Sequence, residues 1–261
     1  TTLGKNITAL EIDGTFDDCQ RLVKTAFLDA DLNKKLQLTS ANSINVARFL
    51  PQSFYYFYAY AQLKKMGKDL DDVVICVPSG NFGNITAGLI AKKMGLPVKR
   101  FIAANNKNDI FLQYLQTGVY SPRASVATIA NAMDVGDPSN FARVLDLYGH
   151  SHAAITAEIE GCSYVDEEIS DWVKKCFSSN GYLLDPHGAC GFGALKDLLK
   201  ENEIGIFLET AHPAKFKDTI DRILDADIEI PEKLQAFMKG EKLSIPLSAK
   251  FSDFKQFLMS I

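Results

Sequence analysis

The sequence predicts an α/β fold in which a mostly parallel sheet is flanked by helices. Three observations lead there. Strand-like and helix-like stretches alternate from one end of the 261-residue chain to the other. The segment "DDVVICVP" is a continuous apolar run, as in a strand buried on both faces. A glycine-rich turn joins that run to a helix and then to a further strand. With 47% hydrophobic and 23% charged residues the composition is ordinarily globular, and the length suffices for one large domain or one plus part of another.

Taken in order, "NITALEID" from Asn6 reads as a strand, and a helix follows from about Phe16 to Phe27, where Phe16, Cys19, Val23 and Phe27 recur at helical spacing. The start is abrupt: Thr1-Thr2-Leu3-Gly4 has neither an initiator Met nor a polar tail, and we expect upstream material to be missing. In "TSANSINVARFLPQSFYYFYAYAQLKKMG", Ser43 is the expected helix N-cap and Pro51 should kink or restart the helix. Phe54, Phe57, Tyr58 and Ala61 then line one helix face. A stacking platform for bases would need a flanking basic groove, so a packed core or a subunit interface is the better reading, and the aromatic helix is a candidate surface for homo-oligomerisation.

After "DDVVICVP" and the turn, a helix beginning near Ile85 carries Ala87, Ile90, Ala91 and Met94 on one stripe, with Lys92 and Lys93 off it, Gly95 as a stop and Pro97 beyond. "VKRFIAAN" completes a βαβ unit. The stretch "CSYVDEEISDWVKKCFSSNGYLLDPHGACGFGALKDLLKENEIGIFLETAHP" gives a helix, the loop "DPHGACG", another helix and the buried strand "EIGIFLET", and the C-terminal "SDFKQFLMSI" a short amphipathic helix.

Several function classes drop out. A net charge of −4 with scattered Lys and Arg offers no basic stripe for nucleic acid or an anionic membrane. Five cysteines, Cys19, Cys76, Cys162, Cys176 and Cys190, form no CxxC pair and read as reduced thiols of a cytoplasmic protein. His150, His152, His187 and His212 show no metal-ligand spacing. His150 and His152 would share a strand face, but a solvated loop is the better reading, and no metal is expected. No apolar run approaches the ~20 residues of a membrane span, and no signal peptide is present.

The turn itself, SGNFGN at 79–84, sits where ligands bind in a parallel sheet, beyond a strand's carboxyl end. Gly80 and Gly83 permit close backbone approach, so successive N–H groups can converge on an anion, and the helix start adds unpaired N–H groups and a positive dipole end. Ser79, Asn81 and Asn84 add neutral donors. The stretch is neither GxGxxG nor GxxxxGK[ST], so a plain strand-to-helix turn and a phosphate cradle stand about equal on these grounds.

SGNFGN together with "SANSINVARFLPQ", "RFIAANNKND", "NAMDV", "DPHGA" and "TAHPAKF", in that order across most of the chain, resembles the threonine synthase family. These are pyridoxal 5′-phosphate enzymes of fold type II, carbon–oxygen lyases that turn O-phospho-L-homoserine and water into L-threonine and phosphate. The resemblance implies that Ser79, Gly80, Asn81, Phe82, Gly83 and Asn84 grip the cofactor phosphate. It also implies that Thr210, at the end of a buried strand, bonds the pyridine nitrogen, where a neutral hydroxyl tunes the cofactor's electron sink. Asn42, Ser43, Asn45 and Arg48 match the substrate side, Arg48 being suited to a phosphate or carboxylate. His187 matches a loop bordering the cofactor, with a buried structural histidine equally open, and Lys215 is similarly ambiguous.

The family's Schiff-base lysine, in a phenylalanine-lysine-aspartate motif far upstream of the turn, has no counterpart here. Phe216-Lys217-Asp218 spells the tripeptide but follows TAHPA near the C-terminus, so Lys217 reads as a surface helical lysine and no catalytic residue is assigned. The resemblance therefore implies a C-terminal portion of a longer enzyme, truncated at the N-terminus and inactive alone. Residues 1–38 would be the remainder of a smaller domain and 39–261 a larger cofactor-binding domain with a C-terminal helical segment. Alternatives are another fold type II lyase of the cysteine synthase or threonine dehydratase type, or a non-catalytic module binding phosphorylated metabolites.

Overall fold

In a computed structural model the chain is described at residues 6–68, 70–238, 240 and 242–261. The opening Thr1–Gly4 lies outside the described residues. Two compact units divide the chain: one holds the described residues of Thr1–Thr39 and of Glu229–Ile261, the other holds Ser40–Ile228.

In the first unit, β1 (Leu10–Asp13) covers the second half of the predicted strand. Thr15 and Asp18 form a reciprocal capping box that starts α1 (Phe16–Leu28), and the Asp29 side chain caps α2 (Ala30–Lys35).

The second unit opens with α3 (Val46–Phe49). Its N-cap is Asn45, whose side chain accepts the Ala47 N–H, and not the expected Ser43. Pro51 lies in a 3₁₀ turn over Leu50–Gln52 that restarts the chain as α4 (Ser53–Lys65), where the first turn tolerates a proline. The buried side of α4 is Ser53 and Tyr56. Of the face expected to serve a core or a subunit interface, Phe57 packs against the core while Phe54 and Tyr58 are 68% and 67% exposed.

Next come β2 (Val73–Pro78), α5 (Gly83–Lys93), β3 (Arg100–Asn105), α6 (Ile110–Thr117), α7 (Phe141–Leu147), α8 (His152–Glu158), β4 (Ile159–Ser163), α9 (Asp166–Asn180), α10 (Pro186–Leu198), β5 (Ile204–Phe207) and α11 (Lys217–Leu224). The strands form one parallel sheet in the order β4-β3-β2-β5. Every residue of β2 and β3 is buried, and alternate residues serve opposite cores. Val73, Ile75 and Val77 meet Tyr56, Ile85, Leu89 and Phe111 on one face. Val74 and Cys76 meet Ile169, Val173, Cys190 and Ile220 on the other.

Three local readings change here. His150 sits in a left-handed turn while His152 opens α8 with its ring against the Tyr114 and Leu115 carbonyls, so they share no strand face. The "DPHGACG" loop is helical from Pro186. Strand β5 ends at Phe207, three residues before Thr210.

The chain then returns to the first unit through α12 (Glu232–Met238), β6 (Ile245–Ser248) and α13 (Phe251–Ser260). β6 pairs in parallel with β1 from Leu10↔Ile245 to Asp13↔Ser248, and Lys255 bonds Asp29 and Asp31 at 2.8 Å each. Residues 229–261, expected to belong with a domain spanning 39–261, thus group with the start of the chain and not with 40–228, because a distant strand completes the two-stranded ladder. No helix among the described residues is long and apolar enough to cross a membrane.

Candidate functional site

β2 releases the chain at Pro78 into the turn, with the Ser79 N–H still bonded to Ala104 O of β3 at 3.0 Å. The turn is tight on both sides. A Cβ on Gly80 would meet Met133 Cα at 2.7 Å, and one on Gly83 would meet Ser43 Cβ at 2.6 Å. Between them Phe82 adopts a left-handed φ of 62°. Such a conformation is strained for an aromatic residue, and burial of the ring 4.5 Å from Phe111 holds it.

The polar side chains of the turn are consumed within the protein. Ser79 Oγ donates to Asn84 Oδ1 at 3.0 Å, and Asn84 Nδ2 donates to Pro78 O at 2.8 Å. Asn81 Nδ2 donates to Ser43 Oγ at 2.8 Å while its Oδ1 accepts from Ser139 N at 2.7 Å. The side-chain donors expected for a ligand are braces instead. What the turn offers is backbone: at the start of α5 the Gly83 and Asn84 N–H groups lie outside the intrahelical ladder, at the positive end of the dipole.

These groups border a cavity of about 590 Å³, within the range of small-molecule sites. Gly80 to Asn84 form one wall, Ser43, Gln52 and Tyr55 a second, and Glu209, Thr210 and Lys215 a third. Burial pushes the Tyr55 hydroxyl up to about 12, so this wall presents a neutral phenol. Phe82 and Asn84 line the cavity as predicted, whereas Ser79 is buried behind it.

Of the four residues expected on the substrate side, Ser43 alone reaches the cavity. Its Oγ accepts from Asn81 and from Asn140 Nδ2 at 3.2 Å. Asn42 turns its side chain back on Ser43, Asn45 caps α3, and Arg48 is exposed away from the cavity wall. The arginine that holds this segment is Arg143, which donates to Ile44 O at 2.6 Å and to Asn140 Oδ1 at 2.8 Å, over the Phe49 ring. Neither Arg143 nor the fully buried Asn140 was singled out from sequence, and the polar run "DPSNF" was the available signal.

Thr210 lies on the cavity wall in the loop after β5. His187 also borders the cavity, but both ring nitrogens are engaged. Nδ1 lies 2.5 Å from Asp185 Oδ1, and Nε2 accepts the Ala132 N–H at 3.1 Å. An acceptor at Nε2 and a carboxylate at Nδ1 define the neutral Nδ1–H tautomer, which is the structural alternative left open above. Lys215 is exposed on the cavity, whereas Lys217 donates to Asp221 at 2.7 Å, to Ile228 O at 2.8 Å and to Asp227, clear of the cavity wall. Glu209 and Asp185 went unnoticed in the sequence, although Glu209 ends an apolar run next to Thr210.

Chemically, the site is a cavity lined by the backbone of a glycine-rich turn, a hydroxyl, a carboxyl and an ammonium. Known proteins resemble the chain along nearly its whole length. Residues 1–206 match the family described as pyridoxal-phosphate dependent enzyme, and residues 188–258 match threonine synthase, C-terminal. Threonine synthase of Haemophilus influenzae is 47% identical over 258 residues, covering 99% of this chain and 60% of that protein. The crystal structure of threonine synthase from Escherichia coli superposes with a TM-score of 0.93 at 44% identity, covering 99% of this chain and 60% of that one. A pyridoxal-phosphate-bound threonine synthase from Brucella melitensis gives 0.84 at 32% identity, with 99% and 60% covered. The chain thus spans about 60% of the length of the curated relatives named here.

Proposed function

Because this chain belongs to the pyridoxal-phosphate dependent enzymes, in their threonine synthase branch, we propose that it carries the phosphate cradle and part of the substrate wall of an enzyme converting O-phospho-L-homoserine and water to L-threonine and phosphate. One observation carries the reading. The turn at 80–84 spends its polar side chains on protein partners, so what it brings to the cavity lining is backbone, and that backbone packs so closely on Met133 and Ser43 that neither Gly80 nor Gly83 has room for a Cβ. That cradle fits a phosphate ester.

When bound, the cofactor supplies an electron sink for charge developing beside the substrate amine. The chain's own residues bind and orient. Gly80, Gly83 and the first turn of α5 would hold the phosphate through backbone N–H groups, while Asn81, Asn84 and Ser79 fix the turn's shape. Thr210 would supply the hydroxyl for the pyridine nitrogen, a role supported by its place on the lining of the same cavity. Ser43 spends its hydroxyl on Asn42, Asn81 and Asn140 and so shapes the substrate side, Tyr55 offers a neutral hydrogen bond there, and Lys215 is a cation on the lining for an anionic group. Lys217, held by two carboxylates and a carbonyl, takes no covalent part. On this reading the chain alone lacks turnover.

The test compares pyridoxine 5′-phosphate with pyridoxine by calorimetry. Binding of the phosphate ester alone supports the cradle, and equal affinity for both would overturn it. Borohydride reduction in the presence of pyridoxal phosphate should leave no stoichiometric adduct on Lys215 or Lys217. A protein of the relatives' full length that contains this chain should release phosphate and L-threonine from O-phospho-L-homoserine, and any other product defeats the assignment.

A further inference from the structure

Two carboxyl groups meet beside the cavity, at the start of α10. Asp185 is fully buried, and its Oδ1 takes the His187 N–H at 2.7 Å and faces His187 Nδ1. Its Oδ2 is equally buried and has no hydrogen-bond partner among the described residues. Glu209 reaches back from the loop after β5. The residue is open to the cavity, yet its carboxyl is turned onto α10, where Oε1 accepts the Asp185 N–H at 3.1 Å and the group fills the space a Cβ on Gly188 would need.

With the Glu209 carboxyl seated on the Asp185 N–H, ionising it would bring a second negative charge against a buried carboxylate whose Oδ2 has no donor. One proton resolves the conflict, because a protonated Glu209 supplies the donor that Oδ2 lacks. We propose that Asp185 and Glu209 form a one-proton carboxyl pair, with the proton on Glu209, that limits the negative charge the cavity presents to a phosphate-bearing ligand.

The surroundings agree. Burial and the neighbouring Asp185 carboxylate push Glu209 up to about 8. Burial opposes the charge on Asp185 too, but the hydrogen bonds of His187 and Glu209 overcome it and hold Asp185 below its ordinary range. The other titratable groups near the pair are His187 and Cys190 on α10, Cys176 near the end of α9, Tyr182 just beyond it, and Lys215 on the cavity lining. The two thiols and the phenol are all raised by burial and therefore neutral near pH 7, and the single negative charge lies at the positive end of a 13-residue helix. Deprotonating Glu209 adds a second negative charge at the edge of the cavity, where it would repel an anionic ligand.

The inference rests on reading the cavity as the site of a phosphate-bearing cofactor, and its test separates the two. The dissociation constant of pyridoxine 5′-phosphate is measured from pH 6.5 to 9 for the wild type and Glu209→Gln. Ionisation of the ligand is common to both and cancels in their ratio. That ratio should be near one at pH 6.5 and rise to about fivefold weaker binding by the wild type at pH 9. In Asp185→Asn the alkaline loss should vanish, since Glu209 has lost its like-charged neighbour. In parallel, ¹³C NMR of glutamate-labelled protein should show the Glu209 carboxyl titrating near pH 8 in the wild type and several tenths of a unit or more lower in Asp185→Asn. A flat ratio, or a Glu209 carboxyl that titrates in the ordinary range, overturns the pair. If the ligand binds at no pH the cofactor reading fails, and the NMR titration still decides the pair.

Discussion

Gly80 and Gly83 differ in what a methyl group would meet. At Gly83 it meets a serine side chain, but at Gly80 it meets the backbone of Met133 and the Ala132 carbonyl, which cannot rotate away. Gly80→Ala should therefore displace the turn and weaken pyridoxine 5′-phosphate binding at least tenfold, at a stability cost of about 1–3 kcal/mol by urea denaturation. Unchanged binding would separate the turn from the ligand. Both glycines were legible because bare backbone after an apolar strand has a restricted set of uses. The roles of Ser79, Asn81 and Asn84 were not, since an asparagine amide serves its own turn as readily as a ligand, and sequence does not give its direction. The same limit applies to His187, whose two ring contacts come from Asp185, two residues away, and Ala132, 55 residues away. His187→Ala strands the Ala132 N–H and leaves the buried Asp185 Oδ1 with the backbone N–H of residue 187 in place of two donors, and should cost about 2–3 kcal/mol in chemical denaturation. A loss under about 0.5 kcal/mol would show those contacts to be dispensable.

At the scale of elements, α10 and α4 show where periodicity misleads. "DPHGACG" reads as loop because it has a proline and three small or flexible positions. Yet Asp185 caps the helix, Pro186 occupies its first position, and the glycines face close neighbours. A Cβ on Gly191 would meet Pro78 Cγ at 3.1 Å, and one on Gly193 would overlap the Trp172 indole. Helix propensity alone makes Gly→Ala favourable by about 1 kcal/mol. Here the overlap should win, so Gly193→Ala is expected to lower stability by about 1–3 kcal/mol and alter the near-ultraviolet circular dichroism of Trp172. A stabilised variant would mean that the indole moves aside without cost. In α4 the aromatic residues are so dense that no single face stands out. Tyr56, whose hydroxyl donates to Asn84 O at 2.6 Å, is the buried one, while the predicted Phe54 and Tyr58 are exposed.

For the molecule as a whole, the parallel sheet of alternating strands and helices was readable because each βα unit declares itself locally. The return of residues 229–261 to the first unit was not, since β1 and β6 are more than 230 residues apart and neither says which strand it pairs with. Long-range pairing also governs the charged anchor of the sheet. Arg100, at the start of β3, donates to Glu203 Oε2 at 2.6 Å and Oε1 at 3.2 Å, to Glu160 of β4 and to Leu198 O, so one guanidinium ties β3 and β4 to the residue preceding β5. The Glu203 side chain is 1% exposed, and the Arg100 hydrogen bonds hold its carboxyl down at about 2. In Glu203→Gln, Arg100 keeps Glu160 and Lys99 keeps Asp72, so the loss is that of the charged hydrogen bonds to Glu203, about 1.5–3 kcal/mol at pH 7. The sign of the pH dependence follows from the lowered value. The pair's contribution is fully present above the unfolded carboxyl's ordinary range, about 4.5, and is lost as the pH falls from there towards about 2. Urea unfolding of wild type and Glu203→Gln should therefore differ by a constant amount from pH 7 to 5, with the gap closing between pH 4.5 and 2. A gap that stays constant throughout that acid range would mean that Glu203 does not carry its charge in the folded protein, and that Arg100 is balanced by Glu160 instead.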